Sequence, residues 1–183
     1  MLTAARAWEI LESAECVCTA ETAAAAVARV AGEVSARLAQ RYPVVLSVMG
    51  GGVVFSGQLL PLLRFPLDFD YVHATRYRGE TRGKTIDWKV RPKGDLRGRV
   101  VLVVDDILDE GWTLAAIRES LLEGGAEEVL TAVFCEKILD RDKPVTADYV
   151  GVTVPDRYVF GFGMDVYGAW RNLPAVYALP DTA

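Results

Sequence analysis

The run Val100-Val101-Leu102-Val103-Val104 has no polar residue and no alternation, and it leads directly into Asp105-Asp106-Ile107-Leu108-Asp109-Glu110-Gly111-Trp112-Thr113. A strand that is apolar on both faces must be covered on both, which is the situation of an inner strand in a parallel α/β sheet. Ligands of such sheets gather at the carboxyl ends of the strands, and here the apolar run ends in two carboxylates. Beyond the loop, Leu114, Ile117 and Leu121 recur at helical spacing and Gly124-Gly125 closes the helix, so Gly111 to Thr113 fall at a helix N-terminus. Free backbone N–H groups and the helix dipole make that position an anion site. Ionised Asp105 and Asp106 only accept hydrogen bonds, so they suit the vicinal hydroxyls of a ribose, and phosphate suits the loop. The expectation is a sugar-phosphate cradle. An EF-hand loop ending at Gly111 would need Asp or Asn at Leu108, and a Walker loop would need Gly-Lys-Ser/Thr.

With 183 residues, 51% of them hydrophobic, the chain predicts one domain, 1–183, able to bury its core without staples. Cys16, Cys18 and Cys135 are odd in number and form no Cys-x-x-Cys pair, which indicates neither a disulfide framework nor a zinc site and fits a reducing cytoplasm. No apolar stretch reaches about 18 residues, and Glu9 and Glu12 make the N-terminus unlike a signal peptide, so a cytoplasmic protein without membrane partners is expected. The net charge of -5 is uneven: 76–99 holds nine Lys or Arg against Glu80, Asp87 and Asp95, a local +6 that leaves -11 elsewhere. Three readings stand for that segment: a solvated β-hairpin, a lid that attracts a polyanionic substrate, or a surface for nucleic acid. The acidic remainder weighs against nucleic acid as the principal partner.

Residues 1–42 read as two helices, the second N-capped near Thr19 with Val27, Val30, Val34 and Leu38 along one face. A strand, Val44 to Val48, meets Met49-Gly50-Gly51-Gly52 and a helix with Phe55 and Leu59, a second strand-loop-helix unit. Leu67 to Thr75 and Thr85 to Val90 predict strands joined through a turn at Gly79 to Gly83. Glu128 to Glu136 predicts a buried strand, Tyr149 to Val152 a short one, and the glycines and prolines beyond predict loops.

The whole order of the Val100 to Thr113 segment resembles the signature of type I phosphoribosyltransferases, which bind 5-phosphoribosyl 1-diphosphate (PRPP). The resemblance runs from about Val44 to Leu179. His73-Ala74-Thr75-Arg76-Tyr77-Arg78 and the motifs below narrow it to the hypoxanthine-guanine phosphoribosyltransferases of a bacterial branch. It implies a mainly parallel central sheet flanked by helices, a flexible lid hairpin at 76–90 and a small purine-binding hood at 153–183. By this resemblance Asp105, Asp106, Asp109, Glu110, Gly111, Trp112 and Thr113 hold the ribose and its phosphate. Asp109, two residues before Gly111, faces purine N7 as general base and steadies an oxocarbenium-like sugar; read alone, it is an acid favoured by a helix dipole. Glu110 stands where relatives commonly have Thr, and its charge disfavours phosphate unless the side chain points outward. Met49 to Gly52 become the pyrophosphate loop, where a non-proline cis peptide commonly occurs. Gly50 and Gly51 there contribute backbone alone, with Arg171 as their cationic partner.

Lys137 is implied to donate to the purine 6-oxo group, Tyr158 to stack on the ring, Val159 to meet its far edge through backbone groups, and Asp165 to complete the pocket. An ammonium next to the 6-position favours hypoxanthine and guanine over adenine. Without the resemblance, Lys137 is a strand-end surface lysine and Tyr158, Phe160 and Phe162 are core. Asp165 is also the implied Mg²⁺ carboxylate, with Asp105, although an Asp165–Arg171 ion pair is the rival reading. Arg76 and Tyr77 match the lid, His73 packs or hydrogen-bonds on its strand, and Trp88 and the Trp112 side chain are packing residues. The implied function is Mg²⁺-dependent purine salvage, transfer of phosphoribose from PRPP to N9 of hypoxanthine or guanine, by a homodimer or homotetramer. Alternatives are a xanthine-preferring enzyme of the same family and a regulatory nucleotide or RNA-binding protein on the same fold.

Overall fold

The computed structural model of the chain describes residues 2–76 and 86–180. Its elements are α1 (Ala4–Ser13), β1 (Glu15–Cys18), α2 (Ala20–Leu38), β2 (Val44–Val48), α3 (Val53–Leu59), β3 (Asp68–Arg76), β4 (Ile86–Val90), β5 (Val100–Leu108), α4 (Trp112–Glu123), β6 (Glu128–Lys137), β7 (Tyr149–Val154), β8 (Val159–Phe160) and β9 (Val176–Ala178). Thr19 caps α2 as its sequence predicts, its hydroxyl accepting from Thr22 N at 3.2 Å. The main sheet has the order β4-β3-β2-β5-β6-β7. Every pairing in it is parallel except β3 with β4, the edge strand.

The five apolar residues of β5 divide as a doubly covered strand requires. Val100, Leu102 and Val104 pack with α2 and α3, including Val27, Val30, Phe55 and Leu59. Val101 and Val103 pack on the opposite face with Leu114, Ile117 and Leu121 of α4. Each such buried aliphatic side chain contributes on the order of 1.5–3 kcal/mol.

The strand is longer than its apolar run. It continues through both acids to Leu108, because the parallel ladder with β6 is extended by Asp105↔Val133, Ile107↔Cys135 and Leu108↔Glu136. The acids therefore lie within the strand, and the turn to α4 is only Asp109 to Gly111.

A second sheet, of order β1-β9-β8, was not expected, since 1–42 reads as helix. Glu15–Cys18 pairs antiparallel with β9 and carries the N-terminal segment onto the hood. Ile10 of α1 is buried with Phe160 and Val166, Trp170 Nε1 donates to Ala7 O at 2.9 Å, and the Trp8 and Trp170 rings meet edge to face. Arg157 closes the junction, donating to Leu179 O at 2.7 and 3.2 Å and pairing with Glu15 at 2.5 Å.

Candidate active site

Three strand ends and the hood converge. After β2 the chain turns through Met49-Gly50, a cis peptide bond, into Gly51 and Gly52. This loop fits against β5 so tightly that a Cβ at Gly51 would lie 1.8 Å from Asp106 Oδ2. From the hood, Gly163, at φ +106, comes down on the same loop, where a Cβ would lie 2.2 Å from Gly51 O. The glycines here allow three backbone segments to meet.

After β5, Gly111 N-caps α4 at φ 83, a left-handed conformation that glycine adopts without steric cost. A cavity of 230 Å³ opens there, lined by Asp105, Asp109, Glu110, Gly111, Trp112 and Thr113 together with Ile107, Leu108 and Leu114. Its donors are the amides of the first turn of α4. The Trp112 side chain is 51% exposed, so it does not pack into the core as its apolarity suggested. Glu110 bonds to Arg141 at 2.7 Å, which turns its charge toward a guanidinium.

A second cavity, also of 230 Å³, adjoins the first through Ile107 and Asp109 and is lined by Asp106, Lys137, Tyr158, Val159, Met164, Asp165 and Arg171. Lys137 Nζ donates to Asp109 Oδ2 at 2.9 Å across its mouth. The Tyr158 ring is 52% exposed, contrary to a core reading, while Phe160 and Phe162 are buried. Burial in place of water and the nearby Asp165 charge push the Tyr158 hydroxyl up. Asp165 has both carboxylate oxygens engaged, Oδ1 by Arg171 and Oδ2 by Gly168 N at 2.7 Å, and Arg171 also donates to Gly163 O at 2.6 Å. The rival reading of an Asp165–Arg171 ion pair is therefore realised, within the same cavity as the other predicted base contacts.

The adjacent acids perturb each other. Burial, reinforced by the charge of Asp106, pushes the Asp105 carboxyl well above the usual carboxylate range. Burial also raises Asp106, against hydrogen bonds from Asp105 and the Ile107 amide and the pull of Arg171. Among the described residues no cluster of three or more His, Cys, Asp or Glu forms a metal cage. The adjacent carboxylates Asp105 and Asp106, one at each cavity, fit an ion that keeps its waters and takes most ligands from a substrate, which is the habit of Mg²⁺.

Three residues that sequence reasoning did not single out complete the site. Ile107 and Met164 supply apolar lining. Lys143, nearly buried, donates to Lys137 O at 2.6 Å, to Leu108 O at 3.2 Å and to Glu136 Oε1 at 3.2 Å, pinning together the ends of β5 and β6. No signal in the sequence marked it, since its three partners come from strand ends and only the fold brings them together.

Other expectations fare differently. His73 is exposed on β3, opposite Val90, rather than packed. Trp88 packs as expected, against the cluster around α4, with Arg91 over its ring at 5.4 Å. Arg76 ends β3, while Tyr77 and the Gly79 to Gly83 turn lie outside the described residues, so the lid readings rest on the sequence. In the described part of the basic segment, Lys89 pairs with Asp87 and Arg97 with Asp95 inside the segment, and Arg99 with Asp68 outside it, which offsets one of its six excess charges. No helix among the described residues is long and apolar enough to cross a membrane.

Residues 17–167 match the family model of the phosphoribosyl transferase domain. The chain is 32% identical over 157 residues to the hypoxanthine-guanine-xanthine phosphoribosyltransferase of Tritrichomonas foetus, covering 82% of this chain and 85% of that protein. To the hypoxanthine-guanine phosphoribosyltransferase of Lactococcus lactis it is 33% identical over 138 residues, 75% of each chain. Its fold is similar to that of a hypoxanthine phosphoribosyltransferase from Staphylococcus aureus, with a TM-score of 0.87 at 23% identity over 94% of this chain and 95% of the other.

Proposed function

The chain belongs to the phosphoribosyltransferase family, and from that premise we propose that it transfers the phosphoribosyl group of PRPP to N9 of hypoxanthine and guanine, releasing pyrophosphate. It is a purine-salvage transferase whose substrates are PRPP and a purine base. The observation that supports the 6-oxopurine reading best is the Lys137–Asp109 pair, at 2.9 Å, on the edge of a cavity that also holds Tyr158 and the Val159 backbone. A purine entering there meets a donor for its 6-oxo group and an acceptor for its N7 proton on adjoining residues. Adenine, with a 6-amino group, sets donor against donor.

Around that base the chain's own groups divide the work. The amides of Gly111 to Thr113 bind the 5-phosphate, and Asp105 and Asp106 accept from the ribose hydroxyls. As the bond from C1 to pyrophosphate loosens, Asp109 takes the N7 proton and its charge steadies the cationic sugar. Arg171 and the Gly50 and Gly51 backbone receive the leaving group. The two raised carboxyls favour a site that is completed by cations, and Asp105 and Asp165 are the residues that would hold Mg²⁺. Because Asp165 is already engaged by Arg171 and Gly168 N, its contact would run through water. When bound, the ion offsets the charge of the pyrophosphate. Assembly as a homodimer or homotetramer and a cytoplasmic location complete the reading.

The test is pyrophosphate release from PRPP with hypoxanthine, guanine and xanthine in parallel, with and without a chelator. Metal-dependent release with hypoxanthine or guanine supports the proposal. Release with xanthine alone moves the chain toward the xanthine activity in the name of its Tritrichomonas relative.

A further inference from the structure

The cavity assigned to the 5-phosphate has an electrostatic deficit. Asp105, Asp109 and Glu110 line it, with no Lys or Arg among its lining residues. The N-terminus of α4 offers only about half a positive charge, and although Asp109 is met by Lys137, a phosphate dianion would enter beside Glu110 as well. The cation that meets Glu110 is Arg141, whose Nη2 donates to Glu110 Oε1 at 2.7 Å.

Two observations indicate that this pair serves the cavity rather than the fold. The Arg141 and Glu110 side chains are 64% and 51% exposed, and exposed pairs of this kind add little to stability. The loop that carries Arg141 is, by contrast, firmly seated. Lys143 anchors it to the ends of β5 and β6 through three bonds of 2.6 to 3.2 Å. Pro144 and Val145 lie directly over Gly111, so close that a Cβ there would meet them at 3.4 and 3.3 Å. Arg141 is thus presented at the phosphate loop by a fixed support.

We propose that Arg141 is a positioning residue for the 5-phosphate of PRPP, acting by neutralising Glu110 and by turning its guanidinium fork to share that carboxylate with a phosphate oxygen. A guanidinium has five N–H donors in one plane, so it can hold two anionic groups together. The assignment rests on the phosphate-loop reading above. It predicts a functional dependence between Glu110 and Arg141: the acid is tolerable in this loop because the arginine stands against it.

The experiment is a double-mutant cycle in the full chain, read both as steady-state kinetics and as PRPP affinity by calorimetry. Arg141→Gln should raise KM for PRPP about tenfold, with an effect that shrinks at high salt, while kcat falls less than twofold and KM for hypoxanthine holds. Arg141→Lys should recover part of the loss. In the Glu110→Gln background the same arginine substitution should cost no more than about threefold, because the charge to be offset is gone. An unchanged KM for PRPP in Arg141→Gln overturns the proposal. So does a loss undiminished by Glu110→Gln, or an equal loss in kcat and in KM for the base, which would mark a structural role. If the wild-type chain binds PRPP but makes no nucleotide, the transferase reading fails while the calorimetric cycle still decides the role of Arg141. If it binds no PRPP, both fall.

Discussion

Lys137 Nζ lies 2.9 Å from Asp109 Oδ2, so the donor expected to read the base and the acceptor expected to take its proton hold each other before any base arrives. Lys137 comes from the end of β6 and Asp109 from the turn after β5, and only the parallel register of the two strands brings them together. The pair keeps the Asp109 carboxylate aimed at the cavity, and on the proposed function Lys137 passes to the 6-oxo group as the base binds. Lys137→Met should raise KM for hypoxanthine at least tenfold and narrow its advantage over adenine, because the lost hydrogen bond involves a charged group worth about 1.5–3 kcal/mol. Steady-state kinetics with both bases check this, and an unaltered hypoxanthine-to-adenine ratio would remove Lys137 from base recognition.

Asp109→Asn keeps the shape and removes the acceptor charge. Turnover should fall by about 10²–10⁴, the span of general-base catalysis, with PRPP affinity changed little. Pre-steady-state measurement of nucleotide formation separates this from slow product release. Turnover within a few-fold of wild type would mean that the N7 proton leaves by another route.

How much of this could be read in advance divides along a physical line. The unalternated run at Val100 to Val104 required a doubly covered parallel strand, and the structure sends its alternate residues to opposite layers. Thr19 and the Val27 to Leu38 periodicity likewise specify their helix locally. The hood was not legible in this way. Its turns place Phe162, Tyr167 and Trp170 at positive φ beside Gly161, Gly163 and Gly168, and its strands have only two or three residues. Such segments acquire their shape from tertiary contacts rather than from propensity. The strand at Glu15–Cys18 exists because β9 pairs with it, and β9 lies about as far away as the chain allows. In the site, the strand-loop-helix units announced the turn from β5 into α4. The exposure of Tyr158, the Lys143 anchor and the Glu110–Arg141 bond depended on contacts between segments distant in sequence.

Gly51 tests the close approach of the loop after β2 to strand β5. A Cβ there would lie 1.8 Å from Asp106 Oδ2 and 2.3 Å from its Cγ, so Gly51→Ala must displace the acid expected to hold the ribose. We expect kcat/KM for PRPP to fall at least tenfold, with a smaller loss for the base, given that a misplacement of about 1 Å can cost on the order of 10²-fold. Equal kcat/KM values for mutant and wild type would show that the loop relaxes without moving Asp106.

The Asp105–Asp106 pair predicts an unusual pH dependence in the unliganded protein. Both carboxyls are raised in the folded state, Asp105 the more strongly, by burial and then by the charge of Asp106, and Asp106 by burial alone. Their contribution to stability is therefore complete below the unfolded pKa of about 4 and is lost as pH rises through the folded values. Asp106→Asn, measured in chelator, should raise Tm at pH 8 by several degrees, at about 2–4 °C per kcal/mol for a chain of this size, and should make little difference at pH 4. PRPP affinity should fall in the same variant. A mutant less stable than wild type at pH 8 would contradict the assigned direction.

The hood is tied to the N-terminal segment through Arg157, which joins Glu15 to the Leu179 carbonyl next to Tyr158, the proposed stacking residue. Arg157→Met should raise KM for the base several-fold, because the loss of two or three charge-assisted bonds loosens Tyr158, and leave KM for PRPP within twofold. Calorimetry with each substrate checks the split; parallel losses for both would place the effect in the fold as a whole.

The most direct test of the central claim is the ratio of kcat/KM for hypoxanthine to that for adenine, measured with saturating PRPP and Mg²⁺. A cavity that sets the Lys137 ammonium against the purine 6-position predicts a ratio of at least about 10³, since a site built to bond one group rejects its mismatch strongly. A ratio near one, or turnover of adenine alone, would contradict it.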